Sequence, residues 1–329
     1  MEHVRLGSTG LKVSRICLGT MTFGLQTDEP TSRAILDRAT EAGVTFIDTA
    51  DVYPLGGGVE TAGRTEEIIG RWLEGRRERV VLASKCVMQV GPRPWDQGAS
   101  RRHVLDAVHA SLRRLRTDWI DLYQLHAYDP DTPVDETLEA LDVLLRNGDV
   151  RYIGCSNWPA FRVAKALGRS DVLRVGKFAS VQPRYNLLFR EMERELFPLC
   201  EEEGLGVIPY NPIAGGMLSG KHQRGGPTAG TRFSLPNAGD LYQRRYWQDR
   251  IFDTVDALKN VADEAGMALP TLAVAWVLHQ PALTAPIVGA SRPEQLDQTL
   301  AAVDVRLDEP LLRRLDELTR EYRRGDWDR

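Results

Sequence analysis

Cysteine is scarce in this chain: Cys17, Cys86, Cys155 and Cys200 stand far apart and form no CxxC or ligand-like spacing. That argues against a disulfide framework and suits reduced thiols in a cytoplasmic protein. No run is long and apolar enough to span a bilayer, and Met1-Glu2-His3-Val4-Arg5 has no apolar signal core, so no membrane partner is expected. An excess of one charge is missing too. Lys and Arg number 42 against 46 Asp and Glu, a net charge of −4, which offers no field to recruit nucleic acid. The runs Arg71-Trp72-Leu73-Glu74 and Glu191-Met192-Glu193-Arg194-Glu195 mix both signs and read as solvated helix faces. No His/Asp/Glu set has a ligand spacing, so no metal is expected. Nor does a Gly-x-Gly-x-x-Gly follow the first apolar run, which argues against an open dinucleotide-binding sheet.

What is present is enough apolar content for a sizeable core, 42% hydrophobic against 27% charged. Val4-Arg5-Leu6, a Gly7-Ser8-Thr9-Gly10 turn and Leu11-Lys12-Val13 read as a β-hairpin. Eight short apolar runs follow, at 16–19, 44–48, 80–83, 120–124, 150–154, 178–182, 206–209 and 284–288. Helical patterns separate them, the clearest over 101–116, where Val104, Leu105, Val108, Leu112 and Leu115 share one stripe. Strand and helix alternate at spacings of roughly 30–40 residues over most of the chain. This predicts an α/β fold, a (β/α)8 TIM barrel, as one domain over 1–329. Outside the repeats stand the N-terminal hairpin, a long loop after strand 7 (211–246) and an extra C-terminal helix (309–322). Gly225-Gly226-Pro227, Gly230 and Pro236-Asn237 mark that loop as irregular chain.

A barrel gathers its active residues at the C-terminal ends of its strands. Asp48 and Tyr53 follow the second strand, Lys85 ends the third and His126 the fourth. A carboxylate, a phenol, an ammonium and an imidazole would share one mouth. Singly, each has an ordinary reading: a strand-end cap, a rim aromatic, a surface charge, a core histidine. At successive strand ends they point to chemistry. In one reading a lysine of depressed pKa forms a Schiff base, as in a barrel lyase or aldolase. In the other the phenol is a general acid/base whose pKa, near 10 when free, is lowered by the ammonium.

The local contexts narrow the choice. Asp48-Thr49-Ala50-Asp51-Val52-Tyr53, with Lys85 and His126, resembles the catalytic tetrad of the aldo-keto reductases in order and setting. Ile153-Gly154-Cys155-Ser156-Asn157-Trp158 resembles the family's fifth-strand motif, and the run from Tyr210 to Lys221 its seventh-strand cofactor segment. The run from Ile287 to Leu296 resembles its adenosine-side motif, and the match extends from about residue 4 to 322.

The resemblance implies an oxidoreductase that passes hydride between a nicotinamide and a carbonyl or alcohol. Tyr53 would be the acid/base, Lys85 and Asp48 would tune it, and His126 would orient the substrate oxygen. Gly19, Thr20, Met21 and Gln26 would line the cofactor site with Asp48. Ser156, Asn157 and Gln182 would bind the carboxamide, and Tyr210 would stack on the ring. Asn211, Pro212, Ile213 and Gly215 would also contact the cofactor, and Leu218, Ser219, Gly220 and Lys221 would follow the diphosphate. Lys221 and Arg232 sit where related reductases, and the similar potassium-channel β-subunits, place basic residues near phosphates. That implies NADP(H), with NAD(H) left open. Gly289, Ser291, Arg292, Gln295, Gln298 and Thr299 would surround the adenosine. Gln298 and Thr299 depart from the acidic residue and asparagine common there. Trp95, Trp158 and Phe233 would wall the pocket of a small carbonyl substrate. A catalytically weak, NADPH-binding regulatory subunit is the alternative the channel relatives suggest, and a homo-oligomer is left open. The complete tetrad favours turnover.

Overall fold

In a computed structural model, which describes residues 1–323, the hairpin forms from β1 (His3–Arg5) and β2 (Lys12–Ser14), with Val4 opposite Val13. The expected domain end at 329 lies outside the described residues. Gly7 is needed at the turn: its φ is 57°, and a Cβ there would stand 2.3 Å from the carbonyl oxygen of Gly204.

Eight parallel strands follow. They are β3 (Cys17–Gly19), β4 (Phe46–Asp48), β5 (Val81–Cys86), β6 (Ile120–Leu125), β7 (Val150–Ser156), β8 (Phe178–Gln182), β9 (Gly206–Val207) and β10 (Ile287–Val288). They pair in chain order and β10 returns to β3. Parallel bridges from Val207 to Leu283 and from Tyr210 to Ile287 close the ring. Around it lie α1 (Glu29–Glu41), α2 (Arg64–Trp72), α3 (Arg101–Leu115), α4 (Val134–Asn147), α5 (Ala160–Leu173) and α6 (Leu196–Glu203). The outer shell is completed by α7 (Gly239–Tyr246), α8 (Asp249–Glu264), α9 (Leu269–Leu278), α10 (Gln295–Leu300) and α11 (Glu309–Thr319). The fold is a (β/α)8 barrel. Among the described residues no single helix is long and apolar enough to cross a membrane.

The alternation of side chains along a strand sorts these sequences into two cores. Ile47, Leu82, Cys86, Tyr123 and Leu125 face the helices and join the large outer cluster. Cys17, Phe46, Ala83, Leu122, Ile208, Ala285 and Ile287 face inward, and Leu6 and Val13 of the hairpin seal them from below. One inward step further along the strands, the residues become polar: Asp48, Lys85 and Gln124. The hairpin thus plugs one end of the barrel with apolar side chains and leaves the polar layer at the other.

Two expectations need correction. The 211–246 segment is not irregular throughout, because its last eight residues form α7. Tyr242 and Tyr246, one helical turn apart, bury themselves there at 4% and 1% exposure, and that burial stabilises a turn of helix the glycines and prolines had masked. The run 191–195 is not a solvated helix face either. Glu191–Glu193 is a single 3-10 turn, and Glu193 accepts from Tyr185 Oη at 2.6 Å and Arg190 Nε at 2.8 Å. Arg190, 3% exposed, also binds Asp316 of α11, so this charge run fastens the C-terminal helix to the barrel.

Candidate active site

The polar layer forms one hydrogen-bonded network. Lys85 Nζ donates to Asp48 Oδ2 at 2.6 Å, to the Thr49 carbonyl at 2.8 Å and to Tyr53 Oη at 3.3 Å. Asp48 Oδ1 accepts from Gln182 Nε2 at 2.9 Å and Gln124 Nε2 at 3.3 Å. Lys85 is 0% exposed, a burial it tolerates only because its charge is paired and its protons are engaged. Strand register sets these distances, since Asp48 lies opposite Ala83 and Lys85 opposite Gln124. The His126 ring stands edge-on to Tyr53 with centroids 5.7 Å apart. All four tetrad residues therefore meet at one mouth.

Their electrostatics assign protonation. Burial works against the Lys85 ammonium, but Asp48 and Tyr53 beside it hold its pKa above the usual lysine value. An enclosed ammonium that keeps its proton is a poor amine nucleophile, which removes the basis of the Schiff-base reading. Burial raises the Tyr53 pKa, and the expected lowering by Lys85 is present but outweighed. The phenol is protonated at neutral pH. Burial, with Lys85 nearby, drives His126 well below the ordinary histidine range, so its ring is neutral.

The expected cofactor residues are brought to the same end of the barrel, though several are occupied. Asn157, held at φ 60°, donates to the His126 carbonyl at 3.0 Å and accepts from Tyr210 Oη at 2.8 Å. Ser156 Oγ donates to the Gln182 carbonyl at 2.8 Å, so it ties β7 to β8. Thr20 Oγ1 donates to the Asp48 carbonyl at 2.9 Å. Gln26 and the Met21 carbonyl both bind the backbone of Leu55, bracing the loop that carries Tyr53. After Tyr210, Ala214, Gly215 and Gly216 take φ values of 51°, 69° and 105° in succession. Within this run Ala214 N–H donates to the Asn211 carbonyl at 2.8 Å and Gly216 N–H to the Ile213 carbonyl at 2.9 Å, so the turn is internally bonded. Asn211 and Pro212 are buried at its start, Ile213 accepts from Gly216 and Leu218, and Ser219 Oγ donates to the Gly216 carbonyl at 2.6 Å. Beyond Gly220, Lys221 is exposed, while Arg232 lies half-buried over the Tyr242 ring at 5.4 Å. On the last strand's side Gly289, Arg292 and Gln298 are exposed, and Ser291 donates to Gln295 Oε1 at 3.1 Å. Thr299 is 3% exposed and its hydroxyl turns back to the Leu296 carbonyl at 3.0 Å.

Residues 15–320 match the profile of the Aldo/keto reductase family. The chain belongs to that family. It is 40% identical over 326 residues to the uncharacterized oxidoreductase YrpG of Bacillus subtilis (strain 168), covering 97% of this chain and 96% of the relative. It is 37% identical over 310 residues to a probable voltage-gated potassium channel subunit beta of Arabidopsis thaliana, covering 93% and 92%. With versiconal hemiacetal acetate reductase of Aspergillus parasiticus it shares 33% over 346 residues, 96% of each chain. Family and relatives make the chain an oxidoreductase in class.

Within this aldo/keto reductase, the expected pocket walls fall in different places. Trp95 is 41% exposed and lies under the Arg102 guanidinium at 4.5 Å. Trp158 is nearly buried, edge-on to Tyr128 and Phe178. Phe233 is 0% exposed and packs against His222, Tyr242 and Trp247, so it holds the long loop down and presents no surface to a ligand. One side chain of the buried network was not singled out from sequence. Gln124 binds Asp48, and it sits two residues before His126 on the inward face of β6, a position the strand period picks out.

Proposed function

We propose that this aldo/keto reductase is an NADP(H)-dependent enzyme that reduces aldehydes or ketones to alcohols, with Tyr53 as the proton donor. One observation carries the reading: a buried ammonium, Lys85, lies 3.3 Å from the Tyr53 hydroxyl and is held there by Asp48. A bound nicotinamide supplies the hydride. When hydride reaches the carbonyl carbon, charge gathers on its oxygen, and the Tyr53 phenol gives that oxygen its proton. Lys85 stabilises the phenolate that remains, and Asp48 keeps the ammonium charged and in place. Among the described residues His126 Nδ1 is buried without a partner, so Nε2 is the nitrogen left to donate to the substrate oxygen and fix its direction.

The positive-φ turn at Ala214–Gly216 lets the backbone approach a diphosphate closely, and Asn157 and Tyr210 fit an amide and a flat ring. Preference for the 2′-phosphate rests on Lys221 and Arg232, neither of which is ion-paired among the described residues. The versiconal hemiacetal acetate reductase relative is in keeping with a carbonyl-level substrate. Four free, buried cysteines fit a cytoplasmic setting.

The test is a panel of aldehydes and ketones followed by NADPH and NADH consumption, with Tyr53→Phe beside the wild type. Turnover should fall by about 10²–10⁴-fold in the variant while nucleotide fluorescence still reports binding. Undiminished turnover would remove Tyr53 from its role. The channel-subunit relative supports a second reading, a nucleotide-binding regulatory subunit. Nucleotide binding without turnover across the whole panel would favour it.

A further inference from the structure

Beside the rim that carries Asn157 and Gln182 lies a cavity of about 340 Å³, large enough for a small organic ligand. Neither Tyr53 nor His126 lines it. Its floor is Cys155, Val181 and Leu196, which belong to the outer core between strands and helices. Trp158 and Met192 extend that apolar wall. Two arginines border the same space: Arg184, just after β8, and Arg245, on α7.

The Arg184 guanidinium lies against the Phe189 ring, its Cζ 3.5 Å from the centroid. Stacking holds a guanidinium by its face and leaves its N–H edge for a planar partner. Among the described residues neither Arg184 nor Arg245 forms an ion pair or a side-chain hydrogen bond. Glu193, on the neighbouring turn, is already bound by Arg190 and Arg323. Among the described residues Glu191 is the one carboxylate on the cavity wall, so one positive charge remains in excess there. Both arginines also act on Tyr210: burial pushes its phenol up to about 12, against the pull of Arg245 and Arg184.

We infer that this cavity binds a small monoanion with a flat apolar body, such as an aryl carboxylate, held by Arg184 and Arg245 against Trp158, Met192 and Leu196. A carboxylate suits a guanidinium edge because two parallel N–H···O bonds form in one plane. The cavity shares Asn157, Gln182 and Tyr210 with the proposed nicotinamide site, so its occupant and the nucleotide should alter each other's affinity. That coupling rests on the cofactor reading above; the anion site itself does not.

Benzoate and its neutral counterpart benzamide, titrated by calorimetry into the whole protein with and without NADPH, test the site. The same titrations are run on Arg184→Met, Arg245→Met and the double variant, with circular dichroism to verify folding. Benzoate should bind the wild type in preference to benzamide, and the double variant should lose at least about tenfold in benzoate affinity. Each single variant should lose part of it. Equal benzoate affinity in wild type and double variant overturns the site, as does no preference over benzamide or no binding. Benzoate displaced by NADPH but indifferent to both arginines would lie in the nicotinamide slot, again overturning it. If NADPH fails to bind while benzoate binding still depends on Arg184 and Arg245, the cofactor reading fails and this site stands.

Discussion

Two regions at the barrel's open end are held by different means. Around Lys85, the polar side chains of Asp48, Gln124 and Gln182 are no more than 3% exposed and bind one another. Their positions follow from strand register, so the barrel itself guarantees them. The 211–246 segment has no strand neighbours to do this. It is fastened by an aromatic cluster, His222 and Trp247 around Phe233 at 4.8 and 5.0 Å, and by Arg224 facing Asp249, Asp253 and Asp256 on α8. Those acidic partners are 91%, 73% and 70% exposed, and such ion pairs contribute about 0–1 kcal/mol each. The barrel fixes the chemical groups by strand register, whereas the loop rests on side-chain packing and exposed ion pairs.

The sharpest way to break the comparison is Lys85→Met. If the network is a closed unit, removing its cation leaves Asp48 buried without a counter-charge, which should cost about 3–5 kcal/mol in urea unfolding as well as turnover. Asp48→Asn added to Lys85→Met should restore part of that stability, because the pair is then absent and no charge is stranded. A stable single variant would show that water reaches Asp48 and that the network is open.

The same contrast decides what could be read from sequence. Asp48, Lys85 and His126 were legible because each sits at a strand end, where the period of two fixes which way a side chain faces. Gln124 obeys that rule through Leu122, its inward neighbour on β6, but an amide draws less notice than an imidazole. The loop offers no period. Its glycines and prolines signal irregular chain, and the helical turn from Tyr242 to Tyr246 emerges only with the partners that bury it. Phe233 reads as a pocket wall in isolation, whereas His222 and Trp247 enclose it completely. Glu193 was misread for a similar reason, since Tyr185 and Arg190 decide its burial.

A smaller effect sharpens the loop side of the comparison. Lys221→Ala with Arg232→Ala should weaken NADPH binding by about 1.5–3 kcal/mol, the range for hydrogen bonds to charged groups, and NADH binding by less. Raising the salt concentration should narrow the gap, because Lys221 is exposed. Titration of both nucleotides by fluorescence measures it. Equal losses would mean that these cations meet the diphosphate common to both nucleotides.

The smallest effect concerns how the loop is closed. His222 is 8% exposed, neither ring nitrogen has a partner among the described residues, and burial, aided by Lys221, lowers its pKa to about 4. Unfolded, a histidine titrates near 6.5. Between those values the unfolded chain binds the extra proton, so stability should fall as pH drops from about 6.5 toward 4. His126 and His103 are also lowered by burial and contribute to the same slope. His222→Phe keeps an aromatic ring against Phe233 and Trp247 but removes one proton from the balance. Denaturation midpoints at neutral pH and near pH 5 should therefore lie closer together in the variant. An unchanged spacing would mean that the imidazole is already hydrated and that the loop stands open over the cluster.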